Sequence, residues 1–358
     1  KTQKVKDVIE RIGHQNPELV KPALGPKEPW AYRNKMQMPV GGTKGNIQMG
    51  FYAMGSHDIV QGTNCPIQDE GNNIIAQACY QIAKEFDIEP YDEHTGKGVL
   101  RHVIGRIGQS GWMIILVTAT DHLPHQEKWV EKLTERIPQV QTIVHNVNSK
   151  RTNVILGPKN HILYGVGTIT DHIKDLQFTL SPHSFFQVNP EQTTVLYDQA
   201  LEYADLKGNE TVIDAYCGTG TISLFLAHKA KHVIGIEIVE PAIINARENA
   251  RHNGYDNTEF IVADAAVEMP KLYKAGVRPD VIVFDPIRAG CKEEVLTSAA
   301  GMEPKRIVYV SCNPATMARD IEILTHYGYE LQEVQPVDMF PMTAHVEAVA
   351  LLTRNEET

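Results

Sequence analysis

Residues 211–225 read TVIDAYCGTGTISLF. A short apolar run closes on Asp214, a loop carries Gly218 and Gly220, and a second apolar run starts at Thr221. Strand, glycine turn and helix is the pattern that opens a crossover between parallel strands. The glycines let the backbone turn sharply and let a ligand approach it closely. One such turn could be ordinary, so the downstream sequence decides. His232–Glu237, Glu259–Ala263, Val281–Phe284 and Arg306–Val310 are near-continuous apolar runs separated by helical stretches. Runs of that kind belong to a parallel sheet buried on both faces. Two further strands, near 329–338 and 346–353, lie close enough in sequence to pair antiparallel. Asn189-Pro-Glu-Gln192 marks a helix start, with Asn as cap and Pro in the first turn. Residues 181–358 are expected to form a doubly wound α/β domain, Rossmann-like, with a mainly parallel sheet.

Upstream the texture differs. Short strands read at Gln48–Tyr52, Val99–Ile104, Trp112–Val117 and Thr142–Val147, with helices near 71–86 and 125–136. This predicts a smaller α+β central domain over 29–180, preceded by a helical segment over 1–28. A chain of 358 residues has room for both domains and their cores. It starts at Lys1 rather than Met, the expectation for a fragment or a processed chain. No signal peptide and no run long enough to cross a membrane is visible. Five cysteines, an odd number without tight spacing, point to a reducing cytoplasm rather than a disulfide framework. A monomer is expected.

The net charge of −10 argues against nucleic acid, but its distribution does not. Residues 29–57, 97–120 and 144–170 contain no Asp or Glu. They carry Arg33, Lys35 and Lys44, then Lys97, Arg101 and Arg106, then Lys150, Arg151 and Lys159. Folded together they could give one positive, RNA-binding face; a chance deficit of acids would give none.

Glu237 closes the strand after the glycine loop, where a carboxylate can hold a ribose diol. A dinucleotide fingerprint would place a small residue where Ser223 stands, and Asp214 disfavours a pyrophosphate. An acidic loop tolerates a cation, so S-adenosylmethionine, with its sulfonium and ammonium, fits better than NAD. Ligands of open α/β sheets bind beyond the strands' carboxyl ends, which brings Gly218, Glu237, Asp285 and Cys312 to one crevice. Cys312 follows an apolar strand, in Ser311-Cys-Asn-Pro314. Packing would explain a buried thiol; a nucleophile explains one displayed at a strand's end, and its pKa should then be lowered by its surroundings. Glu347 begins a late strand and is a candidate base; taken alone it is also an ordinary strand-end carboxylate. Arg288, in Asp285-Pro-Ile-Arg288, stands where enzymes that methylate exocyclic amines often place an aromatic ring, which disfavours that chemistry.

Together His183-Ser-Phe-Phe-Gln-Val-Asn-Pro190, Asp214-Ala-Tyr-Cys-Gly-Thr-Gly220, Asp285-Pro-Ile-Arg288, Ser311-Cys-Asn-Pro314 and His345-Val-Glu347 resemble the RNA 5-methyluridine methyltransferases, in the family's order. The resemblance implies that Gln187, Tyr216, Glu237 and Asp285 bind S-adenosylmethionine, that Cys312 attacks carbon 6 of uracil, and that Glu347 removes the carbon-5 proton. The family usually carries Asp-Pro-Pro-Arg; here Ile287 replaces the second proline. Asn64-Cys-Pro-Ile67 resembles one ligand position of the iron–sulfur cluster in some ribosomal members. Cys65 alone cannot hold a cluster, so this chain supports no metal site. Those members also carry a small N-terminal barrel that would lie before Lys1. The resemblance therefore favours a 23S ribosomal RNA enzyme, active in rRNA processing. The transfer RNA enzyme of the family and an RNA-binding module with a vestigial cofactor site are the alternatives.

Overall fold

The computed structural model describes residues 1–355. It divides into two compact units, one of residues 30–188 and one built from 1–29 and 189 onward.

The chain opens with α1 (Thr2–Arg11), whose Val5 and Ile9 are fully buried. They join the core of the second unit, against the helix Pro314–Thr325. The opening segment is therefore part of that unit, not a separate piece. Only Thr2–Arg11 and the single turn Pro17–Leu19 are helical.

The unit of residues 30–188 holds β1 (Lys35–Thr43), β2 (Asn46–Tyr52), β3 (Ile59–Gln61), α2 (Glu70–Glu85), β4 (Leu100–Gly108), β5 (Gly111–Thr118), α3 (Gln126–Arg136), β6 (Val140–Val147), β7 (Lys159–Tyr164), β8 (Ile169–Ile173) and β9 (Leu176–Leu180). Its main sheet runs β3-β2-β1-β4-β5-β6-β7, and β8 pairs with β9. Only β5 and β6 are parallel, with α3 as their crossover. This is the α+β domain read from the sequence, but it ends at Val188 rather than 180.

Here the expected basic face fails at two positions. Arg101 and Arg106 are each only 3 % exposed on β4. Arg101 donates to the carbonyls of Asn148 and Lys150, at 2.6 and 2.7 Å, and lies over the Tyr91 ring. Arg106 donates to the Ser184 carbonyl. A guanidinium with five donors suits a buried turn whose carbonyls would otherwise lack partners. These cations are structural and present no charge to solvent.

The second unit adds α4 (Pro190–Ala204), β10 (Thr211–Ala215), α5 (Thr221–Ala227), β11 (His232–Glu237), α6 (Glu240–His252), β12 (Thr258–Val262), α7 (Ala265–Lys274), β13 (Val281–Phe284), α8 (Glu293–Gly301), β14 (Arg306–Ser311), α9 (Pro314–Thr325), β15 (Tyr329–Val337) and β16 (Glu347–Arg354). Asn189 caps α4 by accepting from Gln192 N at 3.2 Å. The sheet order is β12-β11-β10-β13-β14-β16-β15, parallel from β12 to β14, with β16 antiparallel to both neighbours. This is the doubly wound, mainly parallel sheet expected. The chain order reverses between β10 and β13, which opens a crevice beyond their carboxyl ends. On the outer edge, Val20 and Leu24 bridge to Val334 and Val337 of β15, so the opening segment also covers an edge strand.

Candidate active site

The glycine loop is held by backbone geometry of an uncommon kind. Tyr216, Gly218 and Gly220 all have positive φ, at 92, 55 and 81°. For a tyrosine this is strained, and such strain concentrates at functional sites. A side chain at Gly220 would press on Ala246 and Phe260, at 3.1 and 3.2 Å. Glu237 reaches back to the loop: one carboxylate oxygen accepts from Gly218 N at 3.2 Å, the other from Val239 N at 2.9 Å. Glu237 is half-buried, and the exposed side chains of Ile238, Val239 and Val262 stand at the same strand ends.

Below the loop, Asp214 is fully buried. Ser223 donates its hydroxyl to one carboxyl oxygen at 2.5 Å, while the other has no partner. Burial pushes the Asp214 carboxyl up to about 7, and the neighbouring Glu237 adds to the rise. Asp285, just past β13, is pushed well above the usual carboxylate range by burial, then by Glu347 and Asp214. Glu347 is 5 % exposed, and burial raises it to about 7 against the pull of Arg288. Three acids thus crowd one buried region; burial raises each, and the other two add to the rise of Asp285.

Cys312 follows Ser311, the last residue of β14, and Ser311 pairs with Ala348 of β16. Glu347 is the first residue of β16, so the antiparallel register brings thiol and carboxyl to the same end of adjacent strands. Cys312 is half-buried. Its pKa is raised rather than lowered: burial acts first, then Glu347 and Asp285, with Arg288 opposing. The expected activation of the thiol is absent from this arrangement because burial first, and then the acids beside it, outweigh the one cation.

Arg288 is the site residue that reading the sequence left without a role. It is exposed, yet it acts on Cys312, Glu347 and His345. Its loop is fastened to the first turns of α9. Asn313 Nδ2 and Thr316 Oγ1 donate to the Arg288 carbonyl at 3.0 and 3.2 Å, and Arg319 donates to Ala289 O at 3.0 Å. Buried Asp320 accepts from Cys291 N at 2.7 Å and from the Tyr309 hydroxyl at 2.5 Å. The helix that starts beside the thiol therefore also sets the backbone of the Arg288 loop. Ile287, in place of the family's proline, is 76 % exposed and belongs to no core. Gln187 is buried in the unit of residues 30–188, one residue before its boundary. Cys65 is half-buried, its backbone N–H donating to Asn73.

Residues 113–355 match the family described as tRNA (Uracil-5-)-methyltransferase. The chain belongs to this family. It is a uracil-C5 RNA methyltransferase that uses S-adenosylmethionine. Uncharacterized RNA methyltransferases of Halalkalibacterium halodurans and Bacillus cereus are each 52 % identical to it, over 98 and 100 % of this chain and 77 and 78 % of theirs. Among solved structures, the tRNA (uracil-54, C5)-methyltransferase of Pyrococcus abyssi, in complex with S-adenosyl-L-homocysteine, is similar with a TM-score of 0.81 and 27 % identity. That match covers 98 % of this chain and 82 % of that one.

The methyltransferase's own residues fit such a donor. The unpartnered oxygen of Asp214 and the raised acids are the surroundings that a cationic ligand relieves. Glu237 stands at the strand end beside the glycine loop, and Ile238, Val239 and Val262 give exposed apolar surface at the same strand ends. No helix among the described residues is long and apolar enough to cross a membrane.

Proposed function

We propose that Cys312 is the nucleophile and Glu347 the base for methylation of uracil carbon 5 in RNA, with 23S ribosomal RNA as substrate. The observation that carries this is the register that sets a half-buried thiol and a buried carboxyl at one end of adjacent strands. The Cys312 thiolate adds to carbon 6, and the electron pair of the ring double bond moves toward the carbon-4 oxygen. When bound, S-adenosylmethionine supplies the methyl group that carbon 5 takes up. Glu347 then accepts the carbon-5 proton, the ring double bond re-forms, and the carbon–sulfur bond to Cys312 breaks to return the thiolate. Glu347 with a pKa of about 7 is suited to hold and release that proton near neutrality. Asp214, Asp285, Tyr216, Gly218 and Glu237 hold the donor; a cation among the acids offsets the repulsion that, with burial, keeps Cys312 protonated. The free cysteines fit a reducing cytoplasm, and the protein works as a monomer.

Asn64-Cys-Pro-Ile67 favours the ribosomal substrate. The Pyrococcus abyssi enzyme, named for a transfer RNA uracil, favours the second reading, a tRNA enzyme. Incubation with labelled donor and separate unmodified 23S ribosomal and transfer RNA, followed by mapping of the product, decides between them. Label at carbon 5 of uridine in 23S RNA is the expected result; label only in transfer RNA overturns that substrate.

A further inference from the structure

The rim of this site carries charge opposite to its floor. Lys4 lies on the exposed side of α1, turned away from buried Val5 and Ile9, and its Nζ donates to Ala344 O at 3.1 Å. Lys1 Nζ donates to Phe340 O at 2.8 Å and pairs with Asp338 at 2.5 Å. Two lysines of the opening segment thus hold the loop between β15 and β16, the loop that delivers Glu347. His345 stands exposed in this loop, edge-on to the Phe340 ring at 6.2 Å. Its burial and three cations that face it, Arg288, Lys4 and Lys1, hold its pKa down.

Lys1 is neutralised by Asp338. Lys4, Arg288 and His345 make no ion pair among the described residues. A chain of net charge −10 leaves Lys4 and Arg288 as two uncompensated cations at one mouth, with His345, its pKa held down, as a neutral hydrogen-bonding group beside them. A local positive potential at the entrance to a buried acidic site attracts a polyanion whose reacting part is itself uncharged. RNA has that character: phosphates outside, a neutral uracil to be inserted. A base attacked on its ring must leave the stack, and contacts to the flanking backbone can hold it there without reading sequence.

We propose that Lys4 and His345, beside Arg288, form a phosphodiester-binding rim for the RNA backbone next to the target uridine. The proposal rests on the reading that Cys312 attacks that uridine. It moves the positive RNA-binding surface from the buried arginines of β4 to the opening helix and the loop before β16.

The test measures RNA affinity against salt, from about 50 to 300 mM, for unmodified 23S and transfer RNA transcripts. A Cys312→Ala background keeps covalent adducts from entering the measurement. Lys4→Glu combined with His345→Ala should lower affinity several-fold and flatten the slope by about 0.7–0.9 log units for each phosphate no longer neutralised. Lys4→Arg should keep the slope, because charge rather than the hydrogen bond to the loop is what counts. Lys229→Glu, an exposed lysine just after α5, should change nothing. Donor affinity and the thermal midpoint should stay level throughout. An unchanged slope in the double variant, or an equal loss with Lys229→Glu, overturns the rim. If Cys312→Ala alone still turns over, the nucleophile assignment fails, but the slope measurement still judges the rim.

Discussion

The two units treat their charges in opposite ways. In residues 30–188 the cations go inward: Arg101 and Arg106 are buried on β4 and hold carbonyls of distant turns. In the other unit the acids go inward, Asp214 and Glu347 at strand ends, and the cations stay at the mouth. A charge count along the chain treats both alike. What differs is the local supply of partners. Irregular turns around 148–150 and 184 offer carbonyls that a guanidinium can satisfy. A parallel sheet pairs its own backbone and leaves side chains at its carboxyl end free for a ligand.

The largest effect that sharpens this contrast concerns Cys312. Cys312→Ala should abolish methylation while donor binding, read by calorimetry, persists. Glu347→Gln should still add and transfer but release slowly, so a protein–RNA adduct should appear as a slow band on a denaturing gel. That band should vanish in the Cys312→Ala/Glu347→Gln double variant. Normal turnover by Cys312→Ala would break the mechanism; normal turnover by Glu347→Gln would remove only the base.

Next comes Arg101→Ala, which should cost about 2–4 kcal/mol in the unit of residues 30–188, since two buried carbonyls lose charged donors. All three tryptophans, Trp30, Trp112 and Trp129, lie in that unit. Their fluorescence during urea unfolding reports it alone. An unshifted midpoint would show that Arg101 is not structural after all.

Glu237→Ala should weaken donor binding by roughly 1.5–3 kcal/mol, the loss of a charged acceptor. Equal affinity by calorimetry would place the ribose elsewhere.

A further contrast is a pH response of opposite sign in the two units. Asp214 and Glu347 titrate near 7 when folded, against ordinary values of 3.8 and 4.5. Between those values the folded state holds protons that the unfolded state has released. Their unit should lose stability as pH rises toward 7, then level off. Lys35 is lowered from 10.5 to about 7 by burial and by Arg106 and Arg33. There the unfolded chain binds the extra proton, so the tryptophan-reported unit should gain stability between about pH 7 and 10. Parallel trends in the two units, by fluorescence and by circular dichroism, would dissolve the comparison.

Much of the active-site unit was legible because its signals are local. Apolar runs buried on two faces, Asn189 as a cap and the Gly218–Gly220 turn each announce themselves within a few residues. The strand-end positions of Cys312 and Glu347 could be read locally, while the role of Glu347 rested on what the family resemblance implied. Other features depend on partners far away in sequence. Nothing in Val5 or Ile9 says that α9 will cover them. The exposed β7 and the short β8 lack a clear apolar alternation, and β9 shows one over only five residues, Leu176–Leu180. The raised pKa of Cys312 follows from its burial and then from Glu347 and Asp285 meeting around it, which no spacing between them states. Arg101 looked like an exposed cation because the carbonyls it satisfies lie 47 and 49 residues on.

The unit that holds Cys312 is assembled from segments on either side of the middle unit, and Lys1 meets Asp338 across 337 residues. A ribosome adding about 5–20 residues per second needs roughly 20–70 s to cover that distance. Through that interval the apolar side of α1 has no α9 to rest on, and Val20 and Leu24 have no β15 to join. The middle unit, contiguous in the chain, emerges whole and can fold first. The nascent protein therefore holds residues 1–29 in waiting, tethered to a finished middle unit, until α9 and β15 leave the tunnel.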